Sequence, residues 1–166
     1  RFFSAWKDHS SLHCHRLSEV LAQATGQETV PIGIAAVRTA DTLLASESCE
    51  ELWTPNSPHI EQALAGVEIF TNGSGSHHSL RKLDSRVDLM RGATAKCGGA
   101  YLYANHRGCD GGRLYFDGSS LACVNGDVVA QAEQFSLRDV EVLSVVIDLT
   151  EVRAFRQGIN SLQCNS

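Results

Sequence analysis

The sequence predicts an α/β fold, and three observations carry that prediction. Apolar, strand-like runs alternate with amphipathic helical stretches from residue 10 to residue 104. Two hairpin-favouring dipeptides, Asp117-Gly118 and Asn125-Gly126, then punctuate a tail of short apolar runs. The 166-residue chain is 43% apolar and 20% charged, a balance that can bury a core and argues against disorder. Strand–helix alternation followed by hairpins suits a mixed sheet with helices packed on one face, part of a layered fold in one domain.

The elements follow in order. Leu17, Val20, Leu21 and Ala24 make one apolar side of a helix predicted over 10–24, with Gly26 as its stop. Val30–Val37 and Leu43–Ser46 read as strands joined by a polar turn at 38–42. Ser57 and Pro58 supply an N-cap and a first helical residue for a short helix that buries Ile60, Ala63 and Leu64 and ends at Gly66. Val67–Phe70 reads as a buried strand entering the loop 71–76. The clearest helical pattern is 79–96, where Leu80, Leu83, Val87, Met90 and Thr94 recur at spacings of three and four before Gly98-Gly99. Ala100–Ala104 follows as a strand. Leu114–Phe116, Leu121–Val124 and Val128–Gln131 are short strands separated by the two turn dipeptides, and Val140–Leu149 is a last apolar strand.

Composition narrows the function classes. A net charge of -5 with scattered Lys and Arg argues against a nucleic-acid binder. No apolar run approaches the roughly 20 residues that span a bilayer, and no signal peptide opens the sequence. The first residue is Arg1 and the one methionine is Met90, so the sequence reads as a piece of a longer protein. Six cysteines spread without C-x-x-C spacing point to reduced thiols and a cytoplasmic setting rather than a disulfide framework.

The most telling stretch is Cys49-Glu50-Glu51-Leu52-Trp53-Thr54-Pro55. A strand runs into a cysteine and a helix start follows, the order of a thiol presented on a sharp strand-to-helix turn. An isolated cysteine is more often an inert, buried apolar group. Two carboxylates beside it weigh against that, because acids next to a buried thiol are costly to desolvate unless paired. An acid beside a nucleophile can instead hold a cationic part of a substrate, such as an amino group. None of the seven histidines is placed by sequence to act as base; His59, His77 and His78 are the nearest choices. The loop 72–76 with Arg81 and Lys82 offers N–H groups, hydroxyls and positive charge for a carboxylate or phosphate. His13-Cys14-His15 has no second ligand pair at metal spacing, so it reads as a solvated helix start and no metal is expected.

Those residues, with Ser57-Pro58-His59, Asn72–His78, Leu80-Arg81-Lys82, Arg86–Leu89, Asn105, Gly108–Gly111, Tyr115, Asp117-Gly118, Gln134–Leu137 and Asp139–Val142, resemble the nitrilase or carbon–nitrogen hydrolase superfamily. The likeness is greatest to the glutaminase domains of glutamine-dependent NAD synthetases of the eukaryotic type. It extends upstream through Arg1, Phe3, Trp6 and Gln27–Pro31, and so covers nearly the whole chain.

The resemblance implies part of a four-layer α-β-β-α sandwich and a Glu-Lys-Cys triad that hydrolyses the side-chain amide of glutamine. Cys49 matches the nucleophile. Glu50 matches a residue whose N–H assists the oxyanion and whose carboxylate holds the substrate amino group. Ser76 and Arg81 match substrate contacts, with Lys82 as the neighbouring register. The family's Glu and Lys match positions upstream of Arg1, and Lys7 does not stand in for the lysine. The S-G-G-x-D-S ATP loop of the synthetase domain is absent from the sequence, so ATP and Mg are expected only of the parent enzyme and no cofactor of this domain. By this reading residues 1–156 are the C-terminal portion of a hydrolase domain and 157–166 begin a linker to a synthetase domain. Ser48 and Ala45 depart from the family's apolar residue and glycine on the strand before the nucleophile. Glutamine, the synthetase domain and a second copy of the chain are the expected partners. A catalytically dead truncated domain and an amidase for another amide are the alternatives.

Overall fold

Buried and open side chains alternate along three stretches that end near the cysteine turn, and this period of two makes them neighbouring strands. The computed structural model describes residues 11–160 and 162, so Arg1, Phe3, Trp6, Lys7 and Cys164 lie outside the described residues. The described residues fall into two compact units that divide between Ala36 and Val37.

The described part of the first unit is small. Strands β1 (His13–Arg16) and β2 (Thr29–Ile32) pair antiparallel with His13 opposite Ile32, and helix α1 (Glu19–Thr25) connects them. Gly26 ends α1 in the left-handed region at φ +70°, its N–H donating to the Ala22 carbonyl. The helix expected over 10–24 is therefore shorter, and His13-Cys14-His15 belong to a strand. His and Cys are weak helix formers, and pairing with 29–32 overrides the local apolar spacing.

The second unit contains a six-stranded sheet in the order β10–β9–β6–β5–β4–β3. Its centre is β4 (Leu43–Ser48), β5 (Ile69–Ser74) and β6 (Ala100–Asn105), all parallel, with β3 (Val37–Arg38), β9 (Leu121–Val124) and β10 (Asp127–Gln131) antiparallel to their neighbours. Register aligns Ala45, Phe70, Tyr101 and Cys123 in one row and Glu47, Asn72, Tyr103 and Leu121 in the next. Both rows face α2 (Pro58–Leu64) and α3 (Lys82–Cys97), whose Ala63, Met90, Ala93 and Cys97 complete the core. Between α3 and β6 the chain turns at Gly99, φ +127°, where a Cβ would stand 2.7 Å from the Glu68 carbonyl oxygen. Only glycine fits there.

The helix α4 (Leu149–Gln157) begins at Asp148, whose carboxylate accepts the Thr150 N–H at 2.7 Å. It buries Val152, pairs Arg153 with Glu68 at 2.7 Å, and directs Arg156 to the Ala63 carbonyl at 2.6 Å.

Further expectations need correction. Val140–Leu149 is not a strand; residues 140–148 run extended without a ladder partner among the described residues, and α4 takes over at Leu149. Glu141, Leu143, Val145 and Ile147 are half-buried, whereas Val140, Val142 and Val146 are exposed, so the period of two was real but the partner was missing. Asp117-Gly118 makes no hairpin. Instead β7 (Arg107–Cys109) and β8 (Tyr115–Asp117) pair around a turn in which Asp110 Oδ1 accepts the N–H groups of Gly112 and Leu114, at 2.8 and 3.0 Å. Finally, α3 begins at Lys82, so Leu80 lies before the helix and is exposed, and Ile60 on α2 is exposed too.

Candidate active site

The site lies at the carboxyl ends of β4, β5 and β6, where open α/β sheets leave room for ligands. Leaving β4, the backbone enters a 3-10 turn (Cys49–Trp53), and Cys49 sits at φ +47°. A β-carbon in that region is strained, which marks a turn built to present a side chain. The Ser48 N–H donates to Glu51 Oε2 at 2.6 Å and fixes the start of the turn.

Asn72 on β5 grips the cysteine backbone from the neighbouring strand. Its Oδ1 accepts the Cys49 N–H at 2.9 Å, and its Nδ2 donates to the Cys49 carbonyl at 3.4 Å. At the end of β5 the Ser74 hydroxyl donates to Cys49 Sγ at 3.3 Å. Asn72 Nδ2 also donates to the Tyr101 hydroxyl at 3.0 Å, and Tyr101 donates to Glu47. Glu47 Oε2 accepts both the N–H and ring Nδ1 of His59, each at 3.0 Å. Burial pushes the Glu47 carboxyl up, but these bonds and the His59 charge outweigh it and hold the group below the ordinary carboxylate range. His59 is thus committed to Glu47. His78 stacks edge-on to Phe135 and stands 4.0 Å from Asp117.

Ser76 is buried, clamped by Asn105, which accepts its N–H at 2.8 Å and donates to its carbonyl at 3.1 Å. The Ser76 hydroxyl is buried without a hydrogen-bond partner among the described residues. An orphaned donor of this kind calls for an explanation, and a ligand is one. Glu50 is exposed on the first turn after Cys49.

The two candidate cations separate. Arg81 is exposed and takes the left-handed conformation, φ +64°, just before α3. Lys82 leans over the Trp53 ring at 5.8 Å and donates to the His77 carbonyl at 3.0 Å. Burial and the Arg86 guanidinium push its ammonium below the ordinary lysine value, while Asp117 and Cys49 pull it part-way back. Lys82 is thus the more enclosed of the two and Arg81 the more exposed.

The other thiols differ. Cys97 and Cys123 are buried, and burial pushes Cys97 up and Cys123 up to about 11, as expected of inert core groups. Cys14 and Cys109 are exposed, and all five described cysteines are free. Among the described residues no group of His, Cys, Asp and Glu could hold a metal ion, and no helix is long and apolar enough to cross a membrane.

The features of the site are a strand-end cysteine in left-handed backbone, a buried serine hydroxyl without a partner among the described residues, and a partly desolvated lysine. The carbon–nitrogen hydrolase profile matches residues 9–157. The chain belongs to the carbon–nitrogen hydrolase family. Among curated relatives, the chain is 56% identical over 156 residues to the glutamine-dependent NAD(+) synthetase of Dictyostelium discoideum, covering 94% of this chain and 22% of the relative. To the enzyme of that name from Saccharomyces cerevisiae it is 53% identical, covering 97% and 22%, and to that of Homo sapiens 52%, covering 97% and 23%. The chain thus spans about a fifth of their length. Its fold superposes on a carbon–nitrogen hydrolase from Helicobacter pylori G27 with a TM-score of 0.68 at 22% identity, over 80% of this chain and 49% of that one. On a glutamine-dependent NAD(+) synthetase from Cytophaga hutchinsonii the TM-score is 0.66 at 23% identity, over 83% and 20%. The fold is the mixed α/β fold of the carbon–nitrogen hydrolases of the nitrilase superfamily, as the sequence led one to expect.

Reasoning from sequence missed Glu47 and Tyr101, and it placed Ser74 and Asn72 in a ligand-holding loop without their contacts to Cys49. Asn72 lay within a Gly-Ser-rich loop, and Ile69–Ser74 is instead a strand whose alternate residues point to the helices.

Proposed function

We propose that this chain supplies the nucleophile and substrate cradle of a glutamine amidohydrolase, whose ammonia serves an NAD-forming synthetase on the same polypeptide. The observation that supports it most is the presentation of Cys49 at φ +47° at the end of a parallel strand, beside Ser74 Oγ at 3.3 Å. The names of the relatives supply the substrate.

In this reading Cys49 Sγ gives up its proton to a base and attacks the carboxamide carbon. The C–N bond then breaks, ammonia leaves with the proton returned, and a thioester remains. Water hydrolyses the thioester to glutamate and restores the thiol. By resemblance to the family the Glu50 N–H is the oxyanion donor, and the Cys49 N–H is engaged by Asn72. The Glu50 carboxylate takes the α-amino group, Lys82 the α-carboxylate, and the Ser76 hydroxyl a polar atom of the substrate. In the family a glutamate base and an oxyanion lysine complete the triad, and by the resemblance neither matches a residue of this chain. ATP and magnesium act in the synthetase portion and not at this site. Free thiols suit the cytoplasm.

The test uses the polypeptide that carries this chain and a glutamine analogue with an electrophilic γ-carbon. Mass spectrometry should find the label on Cys49, with glutamine protecting it. Equal protection by simple aliphatic amides, or label elsewhere, overturns the assignment.

A further inference from the structure

Cys49 occupies backbone that a residue with a Cβ avoids, so something must hold it there. The holder is Asn72, and it works only in one orientation of its amide. Its oxygen must face the Cys49 N–H and its NH2 the Cys49 carbonyl, at 2.9 and 3.4 Å. Turned over, the NH2 would meet the N–H, donor against donor.

The orientation is dictated from beyond the strand. Asn72 Nδ2 donates to the Tyr101 hydroxyl at 3.0 Å. That oxygen can accept because its own proton is committed to Glu47. A carboxylate only accepts, so it obliges the hydroxyl to point toward it. The two donors of His59, each 3.0 Å from Glu47 Oε2, keep Glu47 in that state. All four side chains are buried, so water does not compete for these directions.

We propose that Glu47 is a positioning residue for the nucleophile, acting through Tyr101 and Asn72 to fix the backbone turn that aims Cys49 Sγ. The chain of consequence is directional: carboxylate, hydroxyl, amide, backbone, thiol. It rests on the reading of Cys49 as the nucleophile.

The test is Tyr101→Phe in the polypeptide that carries this chain. The ring keeps its packing against Phe70 and His59, at centroid distances of 6.3 and 6.2 Å, and only the relay is lost. Ammonia release should lose roughly ten- to a hundredfold in kcat with KM within about twofold, since aim and not substrate binding is damaged. Iodoacetamide should alkylate Cys49 about tenfold more slowly, while exposed Cys14 and Cys109 react as before and serve as internal controls. Glu47→Gln should act in the same direction, and the double variant should be no worse than the poorer single one.

The proposal fails if Tyr101→Phe leaves both kcat and Cys49 alkylation unchanged, or if the two losses multiply. Should Tyr101→Phe unfold the chain, seen as labelling of buried Cys97 and Cys123, Glu47→Gln decides on the same comparison. A wild type that releases no ammonia from glutamine, while Tyr101→Phe still slows Cys49 alkylation, overturns the functional reading and leaves this one standing.

Discussion

The Arg86 guanidinium grips the Asp117 carboxylate with two nitrogens, at 2.9 and 3.3 Å, and both side chains are sealed from water. Asp117 also accepts from Gln134 Nε2 at 2.7 Å and from Asn105 Nδ2 at 3.2 Å, and Asn105 is the clamp on Ser76. A buried pair is worth little more than a well-packed apolar pair, but a half pair is costly. Arg86→Met should therefore destabilise the chain by about 3–5 kcal/mol, and Asp117→Leu with Arg86→Met should recover a large part of that. Urea midpoints of the two singles and the double check it. Strict additivity would show that the pair does not act as a unit.

Periodicity revealed most of helix α3 but not this. Leu83, Val87 and Met90 were legible as its apolar side, whereas Arg86 sits on the same buried side. Its partner is 31 residues away on another element, and no local pattern reports that. The nucleophile turn was legible because strand, cysteine and helix start are contiguous in sequence. The Asn72 grip was not, since it arises from the register that sets Glu47 beside Asn72.

The strain at Cys49 gives a separable prediction. Glycine adopts φ +47° freely, so Cys49→Gly should be more stable than Cys49→Ala by about 1 kcal/mol, or roughly 2–4 °C in Tm. Both should lose all amide hydrolysis. Paired thermal melts decide the matter, and an alanine variant as stable as the glycine one would remove the strain from the account.

Acid should unfold the chain through named carboxylates. Burial pushes Asp117 up, but Arg86 and Gln134 outweigh it and hold it low, as His59 and Tyr101 do for Glu47; Arg153 holds Glu68 low. Groups whose folded values lie below their unfolded ones add stability above the ordinary carboxylate range and lose it as pH falls through the folded values. Stability should be nearly flat above about pH 5 and drop steeply below about pH 4, with a shallower drop in Glu47→Gln. A denaturant midpoint that holds constant from pH 6 to pH 3 would contradict this.

Lys82 and Arg81 are told apart by kinetics. Lys82→Met should raise KM for glutamine about tenfold or more, and exposed Arg81→Met should change it less than about twofold. Equal effects would return the role to Arg81.

Val140, Val142 and Val146 stand exposed along an extended segment that has no strand partner among the described residues. An apolar row of that kind promotes association between copies of the isolated chain. Light scattering should show a mass above one copy, and Val142→Lys with Val146→Lys should lower it. A sharp monomer peak for the unmodified chain would oppose the idea.

The relay beneath Cys49 also bears on how such a sequence can vary through time. Glu47 and Tyr101 are 54 residues apart, yet the hydrogen bonds that join them to each other and to Asn72 last only while all three are kept. A lineage that changes one of them first passes through a form with a misdirected hydrogen bond in a dry place. Compensation has to come from the same small set of positions.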